Sequence, residues 1–275
     1  MSGRRDRIAE MFKRTREQGR PAVIAFLPAG WPEPGDTPAI VEAIVAGGAD
    51  AVEIGMPFSD PLADGVTNQR AYQQALEHGV TVHDVLEAVR QIRASGVRVP
   101  LLVMGYCNPL LAYGVSGFVQ DAVDAGVDGL ILVDLPPEEA AELEGPARAA
   151  GLHLVYLLAP TSTAERIAVV VEHAGGFIYC VSVTGVTGAR SALSAELPAF
   201  IARVRTETDL PLAVGFGIST RAHVEEIGRI ADAAVIGSAL VNAIADAPVG
   251  QRPEAARAYM EGITGRGTDH APAAD

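Results

Sequence analysis

The chain reads as an α/β protein built as one closed barrel of eight parallel strands, each followed by a helix. Short β-branched runs alternate with longer alanine-rich amphipathic segments along nearly its whole length. Every interval between successive apolar runs exceeds the roughly dozen residues that a parallel crossover requires. Eight such strand–helix units in 275 residues suit a barrel better than an open sheet, whose edge strands would be more polar.

Taken in order, a basic amphipathic segment carrying Arg4, Arg5, Ile8, Met11 and Phe12 is placed to plug the bottom of the barrel. Strands are predicted at 22–27, 51–54, 101–104, 129–133, 153–157, 177–181, 212–215 and 233–236, where apolar residues run without the polar alternation of a half-exposed strand. Helices are predicted at 37–46, 82–94, 116–125, 137–149, 164–173, 196–206 and 221–227, with one extra helix over 68–77. Glycines at helix ends in Ala46-Gly-Gly-Ala-Asp50, Ala125-Gly-Val-Asp-Gly129 and Ala149-Ala-Gly-Leu-His153 act as C-caps before the next strand. No linker divides the chain, so residues 1–264 form one barrel domain. The stretch 265–275, made of Gly, Thr, Ala, Pro and charge, reads as a disordered tail.

Composition narrows the function. With 21 basic and 34 acidic residues the net charge is -13, which repels nucleic acid and anionic membranes, although local backbone N–H groups can still bind a small phosphorylated ligand. No uninterrupted apolar stretch reaches the ~18 residues of a membrane span, and no signal-peptide pattern is visible. A soluble cytoplasmic protein is the expectation. Cys107 and Cys180 are the only cysteines and the six histidines are scattered, so neither a disulfide framework nor a metal ligand set is visible.

The most informative segment is Glu53-Ile-Gly-Met-Pro-Phe-Ser-Asp-Pro-Leu-Ala-Asp-Gly65. Glu53 ends an apolar strand, where a carboxylate is unfavourable unless paired, solvated in a cleft, or used. The proline-rich loop then delivers Asp64 eleven positions later, so two acids can approach a substrate from different directions. Asp60 is expected to brace this loop through Asx-type hydrogen bonds, and Asp134 to serve as an N-cap or loop brace. Tyr106 and Asn108 read as supporting or interface residues. In such a barrel the chemistry sits where strands end and βα loops begin. Gly215-Phe-Gly-Ile-Ser219 and Gly237-Ser238 follow the last two strands and each lead into a helix, whose unpaired N–H groups suit a phosphate.

These residues, with Met104-Gly-Tyr-Cys-Asn-Pro109, Asp134-Leu-Pro-Pro-Glu-Glu139 and Gly185-Val-Thr-Gly188, run in order through the chain and resemble the tryptophan synthase alpha subunits. The resemblance implies a TIM barrel that cleaves indole-3-glycerol phosphate to indole and glyceraldehyde 3-phosphate. It implies no cofactor in this chain and an α2β2 complex with a beta subunit that carries pyridoxal phosphate. Carried over position by position, Glu53 is the acid/base and Asp64 the carboxylate that holds the indole N–H. Phe26, Met104, Ile131 and Tyr179 would line the indole pocket, Thr187 and Gly188 would belong to a closing loop, and Gly217, Gly237 and Ser238 would hold the phosphate, with Gly188 and Gly215 behind them. A free-standing indole-releasing lyase and a non-catalytic activator of the beta subunit are the alternatives. Two stretches depart from the usual pattern: Val183, and Leu27-Pro-Ala-Gly-Trp-Pro32, which places Trp31 in the first loop. Of the two acids, Glu53 is expected to have the higher pKa, being less solvated.

Overall fold

A computed structural model describes residues 5–182, 195–215 and 217–266. In chain order the first half comprises α1 (Arg7–Glu17), β1 (Ala22–Pro28), α2 (Thr37–Ala46), β2 (Ala51–Gly55), α3 (Val66–Glu77), α4 (Val82–Ala94), β3 (Leu101–Gly105), α5 (Cys107–Tyr113), α6 (Val115–Ala125) and β4 (Gly129–Leu132). The second half comprises α7 (Ala141–Ala150), β5 (His153–Leu158), α8 (Ala164–His173), β6 (Ile178–Val181), α9 (Leu197–Arg205), β7 (Leu212–Gly215), α10 (Arg221–Ile227), β8 (Ala233–Ile236), α11 (Ser238–Ala245) and α12 (Arg252–Thr264). The eight strands close into a barrel, each parallel to the next and β8 parallel to β1. This is the TIM-barrel architecture that the alternation of apolar runs predicted.

Most predicted elements lie within a residue or two of those observed, and the differences have local causes. The helix expected over 137–149 is broken: Pro137–Glu139 forms a 3-10 turn, with Ala140 N–H bonded to the Pro137 carbonyl, before α7 begins. Two helices went unpredicted. α5 occupies seven residues immediately after β3, too short for its periodicity to stand out. α12 lies across α2, so closely that a methyl group at Gly47 would collide with Met260 and with the Arg257 carbonyl. Gly126 and Gly151 cap α6 and α7 in the left-handed region, as their positions predicted.

The floor of the barrel is built from α1 and from three acidic residues that each precede an even-numbered strand. Ile8 of α1 lies under Gly129 and Gly176, and Phe12 meets Phe177 edge-on at 5.8 Å, so the segment plugs the bottom as expected. Asp50, before β2, accepts the Val23 N–H at 3.0 Å; Asp128, before β4, accepts the Leu101 N–H at 3.0 Å; Asp232, before β8, accepts the Leu212 N–H at 2.8 Å. Each bridges to the preceding strand and is also paired with arginines: Asp50 with Arg14, Arg20 and Arg266, Asp128 with Arg7 and Arg93, Asp232 with Arg16 and Arg205. Burial alone would raise the Asp50 pKa, but hydrogen bonds from Arg20 and Arg266 overrule it and bring it down to about 2.

The expected disordered tail requires a correction at its start. Gly265 caps α12 in the left-handed conformation, and Arg266 places both terminal nitrogens on Asp50 at 3.2 and 3.0 Å. That ion pair is reason enough for residues 265 and 266 to be held against the floor. Residues 267–275 lie outside those described.

Candidate active site

Strand register decides which side chains share the barrel interior. In a parallel ladder, paired residues project to the same face and alternate residues along a strand return to it. Phe26 pairs with Glu53, Glu53 with Leu102, Met104 with Ile131, Tyr179 with Leu157 and with Ala213. Stepping by two residues along each strand puts Phe26, Glu53, Met104, Ile131, Tyr179 and Gly215 on one face. Glu53 and Ile131 are fully buried, and Phe26, Met104 and Tyr179 are no more than 8% exposed.

Glu53 is an unusual member of this layer. Neither carboxyl oxygen has a hydrogen-bond partner among the described residues, and burial alone pushes its pKa up to about 8. It therefore holds a proton near neutral pH and can both give and take one. Asp64 is buried too but differently provided for. Its Oδ1 accepts from Asn68 Nδ2 at 3.0 Å and its Oδ2 accepts from the Tyr106 hydroxyl at 2.7 Å. Burial raises its pKa while these two donors oppose the rise. The order expected from sequence follows from the presence of donors at one acid and their absence at the other. Both charges reach Tyr72 and Tyr179, whose phenols are raised first by burial and further by Glu53 and Asp64.

The loop between the two acids is folded on itself by turns, with Leu62 N–H bonded to the Asp60 carbonyl at 2.9 Å and Asp64 N–H to the Pro61 carbonyl at 3.0 Å. Asp60 thus braces the loop through its backbone carbonyl while its side chain is exposed, which corrects the expected Asx bond. Asp134 does cap a helix, but across space: its Oδ1 accepts the Cys107 N–H at the start of α5 at 2.8 Å. Trp31 is buried and donates through Nε1 to Gln74 at 3.1 Å, fastening the first loop to α3.

At the rim, α11 begins directly after β8 with Gly237 as its N-cap, and Ser238 is its first residue. Gly217 has φ +86°, a conformation that disfavours any L side chain. Gly215 is a glycine for another reason: a Cβ there would overlap the Tyr179 hydroxyl. Phe26 lies between Gly55, where an added methyl would strike its ring at 2.7 Å, and Gly237, at 3.8 Å. The Phe26 ring and the glycine-lined rim are therefore adjacent. Thr187 and Gly188 fall outside the described residues. Among the described residues no cluster of three or more His, Cys, Asp or Glu side chains could hold a metal ion, and no helix is long and apolar enough to cross a membrane.

A model of the tryptophan synthase alpha chain family matches residues 12–266. The chain belongs to that family. It is 49% identical to the tryptophan synthase alpha chain of Roseiflexus sp. (strain RS-1), over 94% of this chain and 99% of that one. It is also 45% identical to the tryptophan synthase of Saccharomyces cerevisiae, over 94% of this chain but only 37% of the longer yeast protein. Among solved structures, Mycobacterium tuberculosis tryptophan synthase superposes with a TM-score of 0.88 at 38% identity, covering 95% of this chain and 98% of that one. In this member of the alpha chain family, Tyr106 and Asn68 hold Asp64 through hydrogen bonds and Tyr72 feels the charge of both acids; Tyr106 has the supporting role expected of it, whereas Asn68 and Tyr72 were not read from sequence. Asn68 follows Asp64 by one helical turn, a spacing that could have flagged it.

Proposed function

We propose that this chain is a carbon–carbon lyase of tryptophan biosynthesis that cleaves indole-3-glycerol phosphate to indole and glyceraldehyde 3-phosphate. One observation carries the reading: a fully buried carboxyl with no partner among the described residues and a pKa of about 8 lies on the same strand face as the apolar side chains of Phe26, Met104, Ile131 and Tyr179. The reaction needs a proton placed on indole C3 and another removed from the hydroxyl of the adjoining glycerol carbon. Protonated Glu53 gives the first and, once ionised, takes the second. The bond between C3 and that carbon then breaks, its electron pair returning to the ring as the hydroxyl carbon becomes the aldehyde. While C3 carries the added proton the ring nitrogen is positive, and ionised Asp64 stabilises that charge through the N–H.

Phe26, Met104, Ile131 and Tyr179 form the apolar walls for the heterocycle. Gly237 and Ser238, at the start of α11, and Gly217, in the loop after β7, supply backbone N–H groups for the phosphate, with Gly215 behind them. The chain's own chemistry is acid–base and requires no cofactor. A beta subunit carrying pyridoxal phosphate is the proposed partner, in an α2β2 assembly within the cytoplasm. The yeast relative supports this pairing, since its tryptophan synthase continues well beyond the part that matches this chain.

The deciding assay incubates the purified chain with indole-3-glycerol phosphate and measures indole, with and without a beta subunit. Slow release that rises sharply on adding the beta subunit is the expected result. Full activity alone would indicate a free-standing lyase, and no release under either condition would indicate a non-catalytic activator.

A further inference from the structure

We infer that Tyr106, together with Asn68, is a positioning residue that aims the Asp64 carboxylate and holds it ionised. The inference rests on the activity proposed above. Its basis is the directionality of a short hydrogen-bond chain. The Tyr106 oxygen accepts the Ala63 N–H at 3.0 Å, and a backbone N–H can only donate. The single phenolic proton therefore goes to its other neighbour, Asp64 Oδ2, at 2.7 Å. Donation from N–H to O–H to carboxylate polarises each link in the same sense, and an Asp64 carrying a proton on Oδ2 would meet the phenol's proton head-on.

The other oxygen is fixed from a second direction. Asp64 Oδ1 takes a hydrogen bond from Asn68 Nδ2 at 3.0 Å, and only the amide nitrogen of Asn68 can face a carboxylate productively. That orientation leaves Asn68 Oδ1 buried with no partner among the described residues. A buried acceptor left unsatisfied is unfavourable, so this contact to Asp64 is retained at the expense of local stability, a pattern typical of functional sites. The Tyr106 ring is itself held by Phe58, centroid to centroid 5.1 Å. Phe58 and Ala63 belong to the same turn-rich loop as Asp64, so Tyr106, at the end of β3, couples that loop to the barrel wall.

Tyr106→Phe removes the hydroxyl and keeps the ring against Phe58. Its kcat/KM for indole-3-glycerol phosphate should fall about tenfold, the size of one hydrogen bond to a charged group, and the Asp64 carboxyl, followed by carbon NMR of labelled aspartate, should titrate at higher pH. In an Asp64→Asn background the same change should have no further effect. Equal losses in both backgrounds, or an unmoved Asp64 titration, would overturn the positioning role. Should the phenylalanine variant fail to fold, Asn68→Ala carries the same two readouts. Absence of cleavage by the wild-type chain defeats the proposed activity instead, and the Asp64 titration then decides the positioning role alone.

Discussion

The floor and the interior of this barrel use the same chemical group in opposite ways. At the floor, Asp50, Asp128 and Asp232 each accept a backbone N–H from a neighbouring strand and are each met by two or three arginines. In the interior, Glu53 is more deeply buried than any of them and has no partner among the described residues. The consequence is visible in the direction of the shifts, with Asp50 brought down to about 2 and Glu53 pushed up to about 8. Burial disfavours a charged carboxylate at both places; the arginines and the backbone N–H donors make the difference. A buried acid is thus diagnosed as structural or chemical by its surroundings, with depth alone giving no answer.

The sharpest way to break this contrast is Glu53→Gln. Turnover should fall by ~10²–10⁴-fold, as loss of an acid–base group does, and a variant with near-normal turnover would remove Glu53 from the mechanism. The fold should survive, and the pH dependence of stability carries a definite sign. Glu53 binds its proton more tightly when folded than unfolded, so the folded state takes up more protons between the ordinary value of 4.5 and about 8. Wild-type stability is therefore lost as pH rises through that window, and the glutamine variant's advantage in melting temperature should grow from pH 5 to pH 8 and then level off. Asp50 has the opposite sign: its contribution is present above 3.8 and lost as pH falls toward 2.

At the floor, Asp128→Ala should reverse the pattern. Removing the shared carboxylate leaves Arg93, 12% exposed, and Arg7, 24% exposed, without it, and unfolding by urea should require about 3–5 kcal/mol less. Turnover per folded molecule should hold; a large drop would mean that floor and site are not independent. Smaller still, Gly215→Ala should displace the Tyr179 hydroxyl from the space it fills, lowering stability by roughly 1–3 kcal/mol and raising KM, while an unchanged KM would separate that contact from substrate binding. As a baseline, breaking the exposed Arg221–Glu225 pair should change stability by no more than about 0.5 kcal/mol.

Sequence made the strands and both acids readable because their signals are local. An apolar run interrupted by Glu53 is conspicuous, and glycines before a helix announce a turn. What stayed hidden depended on contacts between distant segments. Asp50, Asp128 and Asp232 each stand just before a strand, and two of them occur in the glycine motifs read as helix ends, yet nothing in the linear pattern says that a guanidinium waits beneath. Arg266 lies 216 positions from Asp50, in a stretch whose composition suggested disorder. Tyr106 is 42 positions from Asp64, and only the barrel's closure brings the phenol to the carboxylate. Gly215 was legible as a glycine in a phosphate-type loop, while the steric reason for it, the Tyr179 hydroxyl, belongs to the neighbouring strand.

The burial of Glu53's carboxyl without a hydrogen-bond partner among the described residues has one more implication. A carboxyl secured by guanidinium groups stays charged through the neutral range, whereas one kept neutral only by dehydration also answers to any polar group brought beside it. A hydroxyl or ring N–H brought against those oxygens would favour the ionised form and loosen its hold on hydrogen, coupling binding to proton release.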